Sequence, residues 1–199
     1  VMNQNSLWMR LLTAVVLLVV ACGASAQWEL DAARSRVNFV SIKNTSVAEV
    51  HSFTKLVGYI GSDGKVQLAI DLDSVETMIP IRNERMRELL FTTADFPSAN
   101  VSAVVDPVII AAAAQGGTVT TELGITLSLH GIEQQLTIPV VVVGEGDGLL
   151  QVFTAQPVLL NAADFGLAAG VAALQQVAGL QSISTAVPVT VHLVFRAGS

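Results

Sequence analysis

Three histidines, His51, His130 and His192, would matter most to chemistry if the fold brought them together. Imidazole is the commonest metal ligand, and Glu49 or Asp164 could complete a set. Their spacing argues against it. The sequence has no His-x-His and no pair of histidines at i, i+4, the spacings that put two ring nitrogens on one side of a strand or helix. His130, next to Gly131, reads better as a turn residue bonding backbone. Nucleophilic catalysis has as little support, because no Gly-x-Ser-x-Gly occurs and the single cysteine, Cys22, lies in an apolar N-terminal run. Arg82, Arg85 and Arg87 remain. A guanidinium can hold a phosphate or a ring oxygen through paired N–H donors. The plain alternative is a solvated helix face. The chain therefore offers polar anchors without a catalytic constellation, and no enzyme activity and no metal are expected.

The elements that must position these residues are mostly strands. The segment Thr118 to Val143 alternates with period two: Val119, Leu123, Ile125, Leu127 and Leu129 on odd positions, then Leu136, Ile138, Val140 and Val142 after a break at His130-Gly131. That is the signature of two long strands, each with one buried face, joined as an antiparallel pair. Val37 and Phe39, then Val66, Leu68, Ile70 and Leu72, and finally Val187 through Phe195 repeat the pattern. Leu150 to Pro157 is a further strand, and Gly61-Ser62-Asp63-Gly64 a hairpin turn. The segment 47–60 carries Val50, Phe53, Val57 and Ile60, and Lys43 to Ser46 reads as a loop. Helical spacing appears from Ile81, where Met86, Leu89 and Leu90 share a face, and again over Val171 to Leu180. Ala111 to Ala114 reads as a poor continuation of the strand begun at Val101. About eight antiparallel strands and one or two short helices result. An eight-stranded barrel able to hold one small ligand and a sandwich both fit the periodicity.

Composition narrows the partners. Of 199 residues, 52% are hydrophobic and 13% charged, enough apolar material for one domain with a large interior. Arg10, an apolar run from Leu11 to Ala21 and then Ala24-Ser25-Ala26 match a secretory signal, so residues 1–26 are expected to be a leader cleaved after Ala26 and residues 27–199 the mature domain. Val19-Val20-Ala21-Cys22 offers an alternative, lipoprotein processing at Cys22. The run is too short for a membrane span, and either route leads to the periplasm or beyond. The mature chain would hold nine basic and sixteen acidic side chains, a net charge of −7, which argues against nucleic acid. An integral outer-membrane barrel is disfavoured by an aromatic content of 5%, too little for two interfacial girdles.

Several stretches occur in a telling order: Trp28-Glu29-Leu30-Asp31 with Ser35, Val37 and Phe39; Phe53 with Gly58-Tyr59-Ile60; Ser74-Val75-Glu76-Thr77 with Arg82-Asn83; Asp95-Phe96-Pro97; Leu127-Ser128-Leu129-His130-Gly131; and Asp164-Phe165-Gly166. Together they resemble the YceI family of secreted polyisoprenoid-binding proteins. Three positions depart from the family pattern: Ser52 for a Gly, Asn83 for an Asp, and Ala162 for an Arg ahead of the Asp-Phe-Gly. The resemblance implies an all-β, eight-stranded antiparallel lipocalin-like barrel whose pore holds a long-chain isoprenoid or a similar amphiphile, and no reaction.

A hydrocarbon chain gains about 25 cal/mol for each Å² removed from water, so it needs a mostly apolar tunnel with a few polar groups at the mouth. The expected ligand-contacting residues are Phe39, Phe53, Ile70, Leu72, Leu89, Leu127, Leu129, Phe153, Phe165 and Val191, with Arg82 as a polar anchor. For each apolar residue singly, ordinary core packing explains the choice as well. The expected partner is a bound polyisoprenoid or quinone-like lipid, with no other cofactor; a homodimer is left open. An outer-membrane-associated lipoprotein and an enzyme acting on a lipid-like substrate are the alternatives.

Overall fold

The computed structural model describes residues 26–198, so the predicted leader up to Ser25, including Cys22, lies outside the described residues. Among those described, a closed antiparallel barrel of eight strands is built, several of them broken into two halves. The first runs as β1 (Ala26–Leu30) and β2 (Arg36–Lys43), the second as β3 (Val47–Phe53) and β4 (Leu56–Gly61). The third is β5 (Lys65–Asp71) followed by the short β6 (Val75–Glu76). Then come β7 (Ser98–Val104), β8 (Thr118–Leu129), β9 (Ile132–Gly144), the pair β10 (Leu149–Thr154) and β11 (Val158–Asn161), and β12 (Ala186–Ala197). The last strand closes the ring. One edge of β12 pairs with β10 and β11, the other with β1 and β2, as in Leu150↔Phe195 and Val158↔Val189 against Leu30↔Phe195 and Phe39↔Val189.

Breaking a strand inside a ring leaves backbone groups without ladder partners, and buried orphans are costly. The same repair appears at three breaks. Between β1 and β2 the hydroxyl of Ser35 donates to Asp31 O (2.8 Å) and accepts from Val194 N (2.9 Å). Between β3 and β4 the hydroxyl of Ser74 accepts from Thr54 N and Lys55 N (3.1 and 3.0 Å) and donates to Asp71 O (2.6 Å). At the end of β10 Thr154 Oγ1 accepts from Val191 N (3.1 Å). Small hydroxyl side chains thus let the strands bend around a wide interior without leaving those amides unpaired.

Helices cover the two ends. α1 (Pro80–Arg85) starts on a proline, runs into a π-helical turn over Met86–Phe91, and stops at Thr92 in the left-handed region (φ 44). α2 (Pro107–Ala114) is capped by Asp106, whose carboxylate accepts from Val108 N (2.9 Å). This corrects the expected strand continuation over Ala111 to Ala114. Proline at the first helical position and a capping Asp outweigh the strand character of Val108, Ile109 and Ile110. α2 sits so close to β9 that a Cβ at Gly144 would lie 1.7 Å from Ala113 O. α3 (Ala168–Val177) packs on the turn after α1, where a Cβ at Gly170 would lie 2.6 Å from Leu89 O.

The long hairpin forms as its sequence predicts. β8 and β9 pair in unbroken register from Thr118↔Val143 to Leu129↔Ile132, turned by His130 (φ 53) and Gly131 (φ 75). Leu123, Ile125, Leu127 and Leu129 of β8 and Leu136, Ile138, Val140 and Val142 of β9 face the interior, while Glu122, Thr126, Glu133 and Gln135 are among the residues that face out. That is the reverse of a membrane-spanning barrel, whose outside is apolar. Val50 and Val57 are among the exposed residues, because Phe53 and Ile60 set the inward phase of β3 and β4.

Candidate functional site

The interior is not solid. Two adjoining chambers occupy it, of about 210 and 430 Å³. The first lies within the strands beneath α2, and its wall is built from alternate residues: Leu68, Ile70 and Leu72 of the third strand and the turn after it, Leu127 and Leu129 of β8, Val140 and Val142 of β9, Val191 and Leu193 of β12. Thr121 and Thr154 are the lining residues that carry a side-chain polar atom. The second chamber lies between the β2, β3 and β12 side of the barrel and the helices α1 and α3. Phe39, Phe53, Leu129, Leu160 and Val189 line both, so the two share a wall of large apolar side chains.

Of the residues expected to contact a ligand, Ile70, Leu72, Leu127 and Val191 line the strand-enclosed chamber, Phe165 and Arg82 the helix-covered one, and Phe39, Phe53 and Leu129 both. Two do not line either chamber. Phe153 is a correction. Leu150 is fully buried and Val152 lines the cavity, so the even positions of β10 point inward and Phe153 points out, stacked on His192 with ring centroids 4.3 Å apart. Leu89 is the other. In the π-helical turn Leu90 and Phe91, one and two positions on, reach the chamber, because the wider turn rotates the face that ordinary helical spacing predicts.

The second chamber also holds a group of polar side chains that emerges when strand alternation is combined with the pairing of β2 and β3. Val37, Phe39, Ser41 and Lys43 share the inward face of β2, and Phe53, His51 and Glu49 that of β3, with Phe39 opposite His51 and Ser41 opposite Glu49. Along both strands the inward series turns from apolar to polar toward the same end, at His51 on β3 and one inward pair further on, at Ser41, on β2. The signal was obscured because Lys43 reads as loop, whereas β2 continues through it. Glu49 Oε2 receives Lys43 Nζ (2.9 Å) and Arg82 Nη1 (2.5 Å), and Arg82 Nη2 donates to Thr77 O (2.6 Å). Asn83 holds the start of α1 in place by accepting from Thr77 N (2.9 Å) and Thr77 Oγ1 (2.5 Å), so the amide supplies the acceptor that a carboxylate would. Ala162, where the resemblance leads one to expect an arginine, puts only a methyl in the chamber wall.

Electrostatics follow from these contacts. Lys43, and after it Arg82, holds the Glu49 carboxyl below its ordinary value against the opposing effect of burial. Burial, reinforced by the Arg82 charge, holds the His51 imidazole below 6.5, so it is neutral at pH 7. His51 is 3% exposed, and its Nε2 lies 2.8 Å from Ser41 Oγ. The other histidines are elsewhere. His130 bonds the Thr92 hydroxyl (3.0 Å), rather than the backbone its turn position suggested, and His192 bonds Gln151 Oε1 (2.9 Å). Among the described residues no group of three or more His, Cys, Asp or Glu side chains could hold a metal ion. Of the other arginines, Arg85 borders the second chamber, while Arg87 reaches Asp73 O instead.

A closed antiparallel barrel, apolar within and ended by a polar cluster, places this protein among the β-barrels that enclose an internal cavity. Residues 28–195 match the model of the YceI-like domain, and the chain belongs to that family. Among solved structures it is similar to a polyisoprenoid-binding domain from Saccharophagus degradans implicated in plant cell wall breakdown, with 40% identity and a TM-score of 0.85 over 87% of this chain and 99% of that one. BcnA of Burkholderia cenocepacia shares the fold at 20% identity and a TM-score of 0.65, covering 83% of this chain and 98% of its own. A YceI protein of Campylobacter jejuni does so at 13% identity and 0.57, covering 79% and 91%. No curated protein matches the sequence.

Proposed function

We propose that the protein binds and carries a long-chain isoprenoid or a similar amphiphilic lipid, with the chain in the strand-enclosed chamber and the polar end toward α1 and α3, and that it does so in the periplasm or after secretion. The observation that carries this reading is the strand-enclosed chamber itself. A sheet whose alternation suffices to fill a core instead surrounds open space walled by hydrocarbon. Such space stays dry and is worth about 0.8 kcal/mol for each methylene taken up from water. Similarity to the polyisoprenoid-binding domain of Saccharophagus degradans supports the ligand class. The leader sequence supports export, and among the described residues no helix is long and apolar enough to cross a membrane. Similarity to a polyisoprenoid-binding domain, rather than any feature of the Ser41–His51 pair, supports binding over catalysis. The test is to purify the protein from an exporting bacterial host, extract it with organic solvent and analyse the extract by mass spectrometry. A stoichiometric long-chain amphiphile is expected; an empty protein that also fails to take up any long-chain lipid would sink the proposal.

A further inference from the structure

The polar end of the helix-covered chamber contains two buried atoms that lack a hydrogen-bond partner within the protein, Nε of Arg82 and Nδ1 of His51. Both residues line the chamber. Nearly all buried polar atoms are paired, and an unpaired one costs on the order of 1–3 kcal/mol, so two in one cavity wall need a reason. The surroundings give each a defined role. Arg82 is fixed by Glu49 on Nη1 and by Thr77 O on Nη2, which leaves Nε as its one guanidinium nitrogen without a partner. His51 is held through Nε2 by Ser41 Oγ, and when that hydroxyl donates, Nδ1 carries the proton and becomes a second donor. Lys43 and Arg82 share the single carboxylate of Glu49, and Arg85 also borders the chamber, so the cluster carries more positive than negative charge.

Building on the lipid-carrier reading, we propose that this chamber selects its ligand by an oxygen acceptor at the polar end, seated between Arg82 Nε–H and His51 Nδ1–H. A carboxylate and a neutral carbonyl share that chemistry. An ammonium head has no lone pair to offer and meets uncompensated positive charge, and a bare hydrocarbon leaves both donors orphaned. Phe39 and Phe53, on the wall common to the two chambers, then face the first carbons of the chain, and the remainder runs into the strand-enclosed space.

Four probes with matched chains test this on the whole protein by displacement of a fluorescent fatty-chain reporter: palmitate, methyl palmitate, hexadecylamine and hexadecane. At least one of the two oxygen-bearing probes is expected to bind about tenfold or more tightly than the amine and the alkane. Palmitate ahead of methyl palmitate identifies an acid as the source of the oxygen, the reverse a neutral carbonyl, and either order supports the proposal. Arg82→Lys, which keeps the charge and removes Nε–H, and His51→Phe, which keeps an aromatic ring and removes Nδ1–H, should each erase most of that advantage by weakening the oxygen-bearing probes and not hexadecane. Equal binding of all four probes, or equal weakening of all four by both variants, overturns the proposal while leaving the carrier reading intact. Binding of none overturns both. The ranking on the unmodified protein needs no variant and holds even if a variant folds poorly.

Discussion

The two chambers are built on the same strands and yet differ in what holds their walls. Around the strand-enclosed chamber most lining residues sit on paired strands: Leu150 and Phe195 are buried, Leu123, Ile138 and Val152 partly so. Around the helix-covered chamber the far wall comes from α1, the π turn after it, α3 and the segment beyond α3, where Met86, Phe91 and Val171 are buried and Leu90, Leu174 and Ile183 partly so. Strand pairing around a ring ties each inward side chain to neighbours on both sides, whereas a helix laid across an opening is held by one face alone. The rigid region suits a chain whose methylenes are alike. The looser one suits a polar end that must be recognised and must also enter and leave.

Mutations can break or sharpen this contrast. The largest effect is expected from Leu150→Ala, about 2–5 kcal/mol of stability by urea unfolding, whereas Leu174→Ala should cost about 1–2 kcal/mol. Equal costs would mean that the two walls are equally packed. Next, Leu127→Trp puts an indole in the strand-enclosed chamber. Affinity for a long-chain probe should fall about tenfold or more, while a chain short enough to stay in the other chamber binds as before. Unchanged long-chain affinity would place the tail elsewhere.

A pH series separates the polar end from the rest. His51 has its folded value lowered by burial and by Arg82, so the unfolded chain takes up the proton first. Its contribution is intact above 6.5, declines as pH falls below 6.5, and is gone once pH passes the lowered folded value. Glu49, lowered from 4.5, adds a loss only below 4.5. His192, lowered by burial and by the Arg36 and Arg34 charges, adds the same loss to both proteins, so thermal melts should show Tm dropping more steeply below 6.5 in the native protein than in His51→Phe, and identical profiles would show that His51 is not desolvated. The smallest effect is expected from Phe153→Ala. The variant loses a stack with His192 worth about 1 kcal/mol of stability, yet changes lipid affinity by no more than about twofold, because it lies outside the barrel wall.

Much of the barrel was legible in the chain. Alternation over Thr118 to Leu129 and over Ala186 to Ala197 placed the inward residues correctly, and the segment from Ile81 to just before Thr92 read as helical. Legibility failed where a local rule had a competitor. Phe153 looked like a wall residue because it is large and apolar, but phase, not size, decides which face it takes, and Val152 beside it is as apolar. Leu89 failed because ordinary helical spacing does not describe a π turn. Lys43, Glu49 and His51 were visible as residues and invisible as a group, since Lys43 was assigned to a loop and the cross-strand register that joins them is not written in either strand alone.

The sequence by itself determined that apolar side chains would lie on one face of nearly every strand, because period-two alternation is a local property of a pleated backbone. Only the tertiary structure decided that the ring would close through both edges of β12, that the enclosed space would stay open, and that Arg82 would come over from α1 to meet Glu49 on β3. Those outcomes depend on register, strand breaks and helix placement, which are set by contacts between residues far apart in the chain.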